Sequence, residues 1–279
     1  MTIVGLLNPG AMGASIGAAA SVNAEKVLWA SQGRSVATKN RAEKAKLFDA
    51  VSIENLVSDS DVILSVCPPD NAMELARDVF AKGFKGSYVD CNAVAPAQAR
   101  LIETLANEAG ALFVDGGIIG GPAWSAKSGT KLWLSGNDAA QIAALFENSP
   151  LLTGVVGKDI GAASALKMTF AAYTKGSTAL LAAILAVAEK EGVRDALAQQ
   201  WGDAFTAQSH RQVIMNSAKA WRFSGEMEQI AQTFEGAGLP DGFHTSAAEV
   251  FGRLSEFKDW QTEPTLAALL HALRFPAET

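Results

Sequence analysis

The sequence has little charge, few cysteines and no long uninterrupted apolar run. Only 19% of its 279 residues are charged, and the net charge of −6 comes without a basic run, which argues against nucleic acid as the main partner. The longest purely apolar run, residues 179–188, is well short of the roughly 20 residues that span a membrane. The first residues lack the basic region of a signal peptide. We therefore expect a cytoplasmic protein without a membrane partner.

The two cysteines, Cys67 and Cys91, form neither a metal-ligand spacing nor a disulfide framework. Their scarcity fits a reducing compartment, and we expect no metal site. The hydrophobic fraction of 49% is too high for a disordered chain. A chain of this length buries roughly 75% of its unfolded surface, so one large or two modest domains are expected.

Short β-branched runs alternate with alanine-rich helical stretches in the first half of the chain. This alternation predicts a parallel sheet covered on both faces. The predicted strands are Thr2–Leu7, Lys26–Ala30, Val62–Val66, Ser87–Asp90, Leu112–Asp115 and Lys131–Ser135. The predicted helices between them are Met12–Ser21, Asn71–Phe80, Ala97–Glu108 and Asp138–Phe146.

The second half has helical periodicity only. Residues 161–192 predict one long alanine-rich helix, interrupted only by Gly176, and no strand pattern recurs after it. The fold class expected is α/β, with a doubly wound parallel sheet in residues 1–160 and a smaller all-α domain in residues 161–279.

The first strand ends in a glycine-rich turn that opens a helix. In that context the pattern resembles the dinucleotide-binding fingerprint of a Rossmann domain. Asn8 stands at the position of the first glycine, and asparagine tolerates a left-handed backbone. Gly10 lets the backbone approach a pyrophosphate, and Gly13 allows close helix packing. An ordinary strand–helix turn that needs small residues is the alternative. The predicted cofactor contacts are Asn8, Pro9, Gly10, Ala11, Met12 and Gly13.

The end of the second strand favours NADP over NAD. An NAD site usually places an acidic residue there for the ribose hydroxyls, and Ser31-Gln32-Gly33-Arg34-Ser35 contains none. Ser31, Arg34 and Ser35 suit a 2′-phosphate instead, the arginine through charge-assisted hydrogen bonds. The alternative is that Arg34 is a solvated loop charge.

Two more loops follow predicted strands, where ligands of open α/β sheets bind. Cys67, Pro68 and Pro69 follow the third strand, and we expect their backbone to contact the cofactor. Asn92 follows the fourth strand and is a candidate contact for the nicotinamide ribose or carboxamide, or else a turn or N-cap asparagine. We expect the thiols of Cys67 and Cys91 to be small buried groups.

Four motifs in order make the chain resemble the β-hydroxyacid dehydrogenase superfamily, which includes hydroxyisobutyrate and phosphogluconate dehydrogenases. The match is closest to a phosphogluconate dehydrogenase-like subgroup of poorly defined substrate. The motifs are the glycine turn at 8–13, Asp90-Cys91-Asn92-Ala93-Val94-Ala95-Pro96, Asp115-Gly116-Gly117-Ile118-Ile119-Gly120-Gly121 and Gly161-Ala162-Ala163-Ser164-Ala165-Leu166-Lys167.

The resemblance implies a Rossmann domain, an all-helical second domain, a small-molecule substrate bound between them, and a homodimer. Two departures argue against a standard hydroxyisobutyrate or phosphogluconate substrate. Ile119 stands where these enzymes place a serine that holds the substrate carboxylate, and Ala171 stands where they place an asparagine.

Lys167 is the candidate general acid or base. A proton must move at the reacting oxygen or nitrogen when hydride is transferred, and a lysine can move it. The alternative is a lysine whose stem packs while its amine reaches water. The candidate substrate contacts are Gly120, Gly121, Pro122, Thr174, Lys175, Arg222 and His244; for Arg222 and His244 the alternatives are a surface charge and a structural histidine.

The sequence therefore predicts an NADP-dependent oxidoreductase that transfers hydride between nicotinamide and a small hydroxy or keto compound. Two alternatives stay open at this point. An imine or pyrroline reductase uses a similar two-domain plan and does not require Lys167. A non-catalytic NADPH sensor would keep Gly10 and Gly13 and need no acid–base lysine.

Overall fold

The computed structural model describes residues 2–275, and the chain divides into two compact units. The first unit ends at Lys167 and the second begins at Met168. The predicted domains, 1–160 and 161–279, stay a prediction, and their outermost residues, Met1 and 276–279, lie outside the described residues.

Eight strands form a single sheet in the first unit. The strands are β1 Ile3–Leu6, β2 Lys26–Trp29, β3 Phe48–Asp49, β4 Val62–Ser65, β5 Ser87–Asp90, β6 Leu112–Ile119, β7 Lys131–Ser135 and β8 Leu152–Gly157. The helices of this unit are α1 Ala11–Ala20, α2 Val36–Lys44, α3 Ile53–Asp59, α4 Ala72–Ala81, α5 Pro96–Ala109 and α6 Ala139–Ala144.

The strand order is β3-β2-β1-β4-β5-β6-β7-β8, which confirms the doubly wound sheet. Every neighbouring pair is parallel except β6 and β7, where Asp115 lies opposite Ser135 in an antiparallel ladder. The predicted parallel sheet therefore has one antiparallel pair among its described strands. The two strands pair antiparallel because the connection between them, residues 120–130, is too short for the helical crossover that parallel neighbours need.

Two apolar clusters of the first unit take alternate residues of its central strands. Leu64, Val89 and Val114 belong to one cluster, whereas their chain neighbours Ile63, Tyr88 and Phe113 belong to the other. Because successive strand side chains point to opposite faces, the two clusters lie on the two faces of the sheet. Both faces are therefore buried, as a doubly wound fold requires.

The second unit is helical throughout its described residues. The long helix α7, Ala162–Lys190, begins in the first unit and continues into the second. The remaining helices are α8 Arg194–Trp201, α9 Asp203–Ser217, α10 Ala220–Gly236, α11 Gly242–Gly252 and α12 Leu266–Arg274. Helix α7 is long and apolar enough to cross a membrane, a test that core helices of soluble proteins also pass, and 44% of its apolar window is buried.

The sequence predictions missed several short elements. Helices α2 and α3, the two-residue strand β3 and the edge strand β8 were not expected, and β6 runs four residues past its predicted end at Asp115. The second helix has no apolar stripe to reveal it, because only Ala42 of its residues is buried. Strand β6 continues because Gly116 and Gly117 pair with Leu134 and Trp133.

Candidate active site

The glycine-rich turn between β1 and α1 is closed by its own backbone. The Gly10 N–H donates to the Asn8 carbonyl at 2.8 Å. A Cβ on Gly13 would stand 2.1 Å from that same carbonyl oxygen, so only glycine fits there. Asn8 is not among the residues with positive φ, so the left-handed conformation invoked for it is wrong. Asparagine is accommodated at this position because the turn does not require a left-handed residue.

The turn leaves space for a ligand at Gly10. A Cβ added there would meet no atom within 4 Å, and Gly10 is the N-cap of α1, which has no side-chain cap bond. Uncapped N–H groups and the positive end of the helix dipole suit an anion at this position. The residues present therefore fit the diphosphate of a dinucleotide.

Two arginines connect the β2–α2 region to the glycine turn. The half-buried Arg34 donates from Nη2 to the Leu7 carbonyl at 3.1 Å, so it is not a solvated loop charge. Arg41 donates from Nε to the Pro9 carbonyl at 3.1 Å and from Nη2 to Thr38 Oγ1 at 3.0 Å. The sequence analysis missed Arg41, because it lies on an unpredicted helix seven residues after Arg34.

The serines of this loop have different surroundings. The Ser35 hydroxyl caps α2 by accepting the Thr38 N–H at 3.3 Å. Ser31 lies half-buried at the end of β2. Both stand where the sequence places a 2′-phosphate, and their contacts with it remain predictions.

Asn92 joins the loops that follow β4 and β5. Its Nδ2 donates to Ser65 Oγ at 2.9 Å, and its Oδ1 accepts the Cys67 N–H at 2.5 Å. The side chain is 2% exposed, so its amide holds the two loops in register. Both bonds reach residues more than twenty positions away, and α5 begins after Ala95, so the alternative of a turn or N-cap asparagine does not describe them. A direct contact with nicotinamide stays a prediction.

Cys67 and the two prolines after it form the edge of the β4 loop. Burial, and next the charge of Asp90, raise the pKa of Cys67 to about 12, so its thiol is not a nucleophile at neutral pH. Pro68 is exposed and Pro69 is half-buried. Cys91 is buried, and burial raises the pKa of its thiol as well. The cofactor contacts expected of Cys67, Pro68 and Pro69 remain predictions.

Two acidic side chains lie side by side below these loops. Asp90 on β5 is the register partner of Asp115 on β6, and both are buried. Burial raises the pKa of Asp90 to about 7, with the charge of Asp115 adding to the effect and the Asn92 N–H opposing it. Among the described residues, no group of three His, Cys, Asp or Glu side chains is placed to hold a metal ion.

Lys167 lies where α7 crosses the glycines of β6. A Cβ on Gly117 would stand 2.7 Å from the Ala163 carbonyl oxygen and 2.9 Å from the Lys167 Cβ. Glycine at 117 therefore lets the helix approach the strand with Lys167 at the contact. The sequence analysis assigned the motif's last two glycines to substrate and overlooked this role of Gly117.

The predicted substrate loop follows β6 directly. Gly120 has a φ of +129°, and a Cβ there would stand 2.6 Å from Thr130 Oγ1, so glycine is required. Gly121 is exposed with open space at its Cβ position, and its carbonyl accepts the Thr130 hydroxyl at 2.6 Å. Pro122 is exposed beside it. Their contact with a substrate remains a prediction.

The other predicted substrate contacts belong to the second unit. The Thr174 hydroxyl donates to the Phe170 carbonyl of its own helix at 3.3 Å. Lys175 is ion-paired with Glu226 at 2.8 Å, with both side chains largely buried. Arg222 is exposed on α10. These three contacts remain predictions.

His244 is buried among aromatic rings rather than exposed to an anion. It is 5% exposed, and its ring centroid lies 4.2 Å from that of Phe234 and 5.2 Å from that of Phe243. Burial lowers the pKa of this histidine, so the imidazole is neutral at pH 7. A neutral, enclosed ring is poorly suited to the anion contact predicted for it.

Comparison with known proteins identifies the first unit. Residues 2–157 match the family described as the NAD binding domain of 6-phosphogluconate dehydrogenase, which is more than half of the chain. The chain belongs to this family. Residues 188–254 of the second unit match a domain of unknown function, DUF1932.

Two similar proteins carry no assigned function. The chain is 35% identical over 166 residues to an uncharacterized 28.5 kDa protein of Methanothermus fervidus; the match covers 60% of this chain and 63% of the relative, which is less than two thirds of its length. A conserved protein of unknown function, described as structurally similar to 3-hydroxyacid dehydrogenases, is 25% identical with a TM-score of 0.63, covering 91% of this chain and 97% of that one.

Structures of enzymes share the fold of this family member at lower identity. Mycobacterium tuberculosis 3-hydroxyisobutyrate dehydrogenase with L-serine has a TM-score of 0.70 at 18% identity, covering 98% of this chain and 99% of that one. An imine reductase from Myxococcus stipitatus in complex with NAD+ has a TM-score of 0.55 at 19% identity, covering 98% and 99%. The first unit is therefore an NAD(P)-binding domain with the hydroxyacid dehydrogenase-like fold.

Proposed function

We propose that this protein is an NADP-dependent oxidoreductase that transfers hydride between nicotinamide and a small hydroxy or keto compound, with Lys167 as the general acid or base. The observation that carries the proposal is the placement of Lys167 against Gly117 on β6. That strand leads into the loop of Gly120 and Gly121, in the sheet whose glycine turn fits a diphosphate. The family match supports the dinucleotide, and the lysine supplies the proton chemistry.

Cofactor binding, proton transfer and substrate positioning fall to different residues. When bound, the nicotinamide supplies or accepts the hydride. The turn at Gly10 binds the diphosphate, and Arg34 supplies positive charge toward a 2′-phosphate. Lys167 gives a proton to the carbonyl oxygen during reduction, or takes it from the hydroxyl during oxidation. The backbone at Gly120 and Gly121 positions the substrate, with the exposed Arg222 a further candidate contact.

A panel of small carbonyl and hydroxy compounds tests the proposal. NADPH oxidation, or NADP reduction, is measured for the wild type and for Lys167→Ala. Because a positioned acid–base group contributes typically 10²–10⁴-fold in rate, we expect the variant to lose at least about 100-fold in turnover. NADPH affinity should stay near the wild-type value. Near-normal turnover of the variant would remove Lys167 from the mechanism.

Imine or pyrroline reduction is the second candidate function. It is favoured by Ile119 and Ala171, which are apolar where hydroxyacid enzymes place polar substrate contacts. Imines offered in the same NADPH assay separate the two candidates, since imine turnover that survives Lys167→Ala supports the second. Tight NADPH binding without turnover on either class of substrate would instead indicate a sensor.

A cytoplasmic homodimer is part of the same proposal. Large apolar side chains of α7 are exposed at helical spacing: Phe170 is 48% exposed, Tyr173 78%, Leu180 46% and Val187 60%. Exposed apolar patches of this kind mark interaction surfaces, and a second copy of the chain is the occupant we propose. The free thiols of Cys67 and Cys91 support a reducing compartment. Light scattering on the purified protein tests the dimer, and a monomer mass would contradict it.

A further inference from the structure

The carboxylate of Asp115 is the centre of a buried hydrogen-bond cluster at the start of α7. Its Oδ2 accepts the Gly161 N–H at 3.0 Å, the Ser164 N–H at 3.0 Å and the Ser135 hydroxyl at 2.9 Å. Its Oδ1 accepts the Ser164 hydroxyl at 2.6 Å. Asp115 is 1% exposed, so these bonds are made without competition from solvent.

The backbone donors, the N–H groups of Gly161 and Ser164, are of the kind that the start of a helix leaves without intrahelical partners. Ser135 completes the set, because its hydroxyl oxygen also accepts the Ala163 N–H at 3.1 Å. The N–H groups of Gly161, Ala163 and Ser164 are thus bonded to side chains of β6 and β7. A negative charge at this end also interacts favourably with the helix dipole.

This cluster and Lys167 are connected by one turn of helix and one step of strand. Lys167 follows Ser164 by three residues on α7, and Gly117 follows Asp115 by two residues on β6. Residues two apart on a strand face the same side of the sheet. Helix α7 therefore contacts the strand at two points, a polar one at Asp115 and a close-packed one at Gly117, where Lys167 lies.

We propose that Asp115, together with Ser135 and Ser164, positions Lys167 for proton transfer. The inference rests on the proposed function and adds residues to which that function assigned no role. Asp115 is a positioning residue rather than a catalytic one, because its carboxylate is enclosed and bonded to the helix. It acts through the helix by fixing where the backbone of Lys167 stands over β6.

Every bond at Asp115 is assisted by its negative charge. All four groups bonded to Asp115 are N–H or O–H donors, and a carboxylate accepts from every one of them. Asparagine removes the charge, so the bonds that its oxygen keeps are weaker, and its NH₂ group meets the Ser164 hydroxyl, which must turn its own hydrogen away to accept. Asp115→Asn is therefore a nearly isosteric change that perturbs the start of α7.

The effect of Asp115→Asn on Lys167 can be measured by NMR without a substrate. Lysine amines carrying ¹³C-methyl groups give separate NMR signals, and the signal that disappears in Lys167→Arg belongs to Lys167. We expect Asp115→Asn to move the Lys167 signal, and to leave the Lys39 and Lys190 signals in place. Asp138→Asn is the matched control, because Asp138 precedes α6 and makes no side-chain cap bond there.

Kinetics on a substrate from the panel supply the second readout. Because a misplacement of about 1 Å can cost about 100-fold, we expect Asp115→Asn to lower kcat at least about tenfold while the Kd for NADPH changes less than about twofold. Asp138→Asn should leave kcat and the Kd for NADPH at their wild-type values.

An unmoved Lys167 signal together with unchanged kcat in a folded Asp115→Asn would overturn the inference. If that variant does not fold, Ser164→Ala removes one bond of the cluster and Ser135→Ala removes two, and both should move the Lys167 signal in the same direction as Asp115→Asn. Unmoved signals in both would also overturn it. If the wild type turns over nothing, the proposed function fails, whereas the NMR measurement still decides whether Asp115 positions Lys167.

Discussion

Asp90 and Asp115 are neighbours in register on β5 and β6, yet their carboxylates have opposite surroundings. Asp115 accepts four hydrogen bonds, whereas Asp90 accepts the Asn92 N–H at Oδ1 and leaves a buried Oδ2 without a partner among the described residues. The charge of Asp115 adds to the burial of Asp90, and together they keep Asp90 protonated up to a pKa of about 7.

Asp90→Asn should stabilise the protein increasingly as the pH rises from about 4 to 7. The pKa of Asp90 is about 7 in the folded chain, above its ordinary value of 3.8, so the folded state binds this proton more tightly than the unfolded state. Wild-type stability from this group is complete at low pH and falls as the pH rises to 7. Asparagine has no proton to lose, so its advantage should grow by about 2 kcal/mol between about pH 5.5 and 7.

Urea unfolding of both proteins across this pH range measures the effect, with Asp138→Asn as the control for removal of a carboxylate. A stability difference that is the same at every pH would contradict the assignment of the raised pKa to Asp90.

Alanine at Gly13 and at Gly10 should have separate consequences. At Gly13 the new Cβ would stand 2.1 Å from the Asn8 carbonyl oxygen, so the turn must shift, and we expect a loss of about 1–3 kcal/mol of stability. At Gly10 the Cβ meets no protein atom within 4 Å, so stability should hold while NADPH binding weakens. Thermal unfolding and NADPH titration of both variants test this, and tight NADPH binding by Gly10→Ala would contradict the diphosphate assignment.

Arg34 and Arg41 should affect cofactor binding in different ways. Arg34→Ala removes the charge proposed to face a 2′-phosphate, and the loss of a charge-assisted bond should weaken NADPH about 10- to 100-fold more than NADH. Arg41→Ala removes the bond to the Pro9 carbonyl in the turn that both cofactors use, so it should weaken both alike. Fluorescence titration with NADPH and with NADH measures how much each variant weakens the binding of each cofactor. Tighter binding of NADH than NADPH by the wild type would refute the NADP preference itself.

Gly117→Ala should destabilise the first unit more than Gly121→Ala. The added Cβ at 117 would collide with the Ala163 carbonyl oxygen, whereas the Cβ at 121 has open space. We expect a loss of about 1–3 kcal/mol for the first change and a small effect for the second. Equal melting temperatures for the two variants would show that α7 can move away from β6 without penalty.

Much of the first unit could be predicted because its signals are local. The alternation of β-branched runs with alanine-rich stretches located β1, β2, β4, β5 and β7 to within a residue at their starts or ends. The glycine turn was recognisable because strand, turn and helix follow each other within a dozen residues. The two-residue strand β3 and the polar helix α2 escaped, because neither has an apolar periodicity long enough to detect.

The functions of individual side chains were harder to predict, because they depend on partners distant in sequence. The bonds of Asp115 reach 46 and 49 residues ahead to Gly161 and Ser164. The bonds of Asn92 to Ser65 and Cys67 likewise join different strand ends. His244 was a candidate for an anion because its sequence does not reveal that its ring packs against Phe234.

The hydroxyl of Ser15 connects helix α1 to a loop 108 residues further along the chain. It donates to the Met12 carbonyl within α1 at 2.8 Å and accepts the Ala123 N–H, just past Pro122, at 2.9 Å. The helix that starts the dinucleotide site and the loop proposed for substrate thus share one buried atom. A displacement of either element lengthens a hydrogen bond at that oxygen, so the proposed diphosphate turn and the proposed substrate loop cannot shift independently without breaking it.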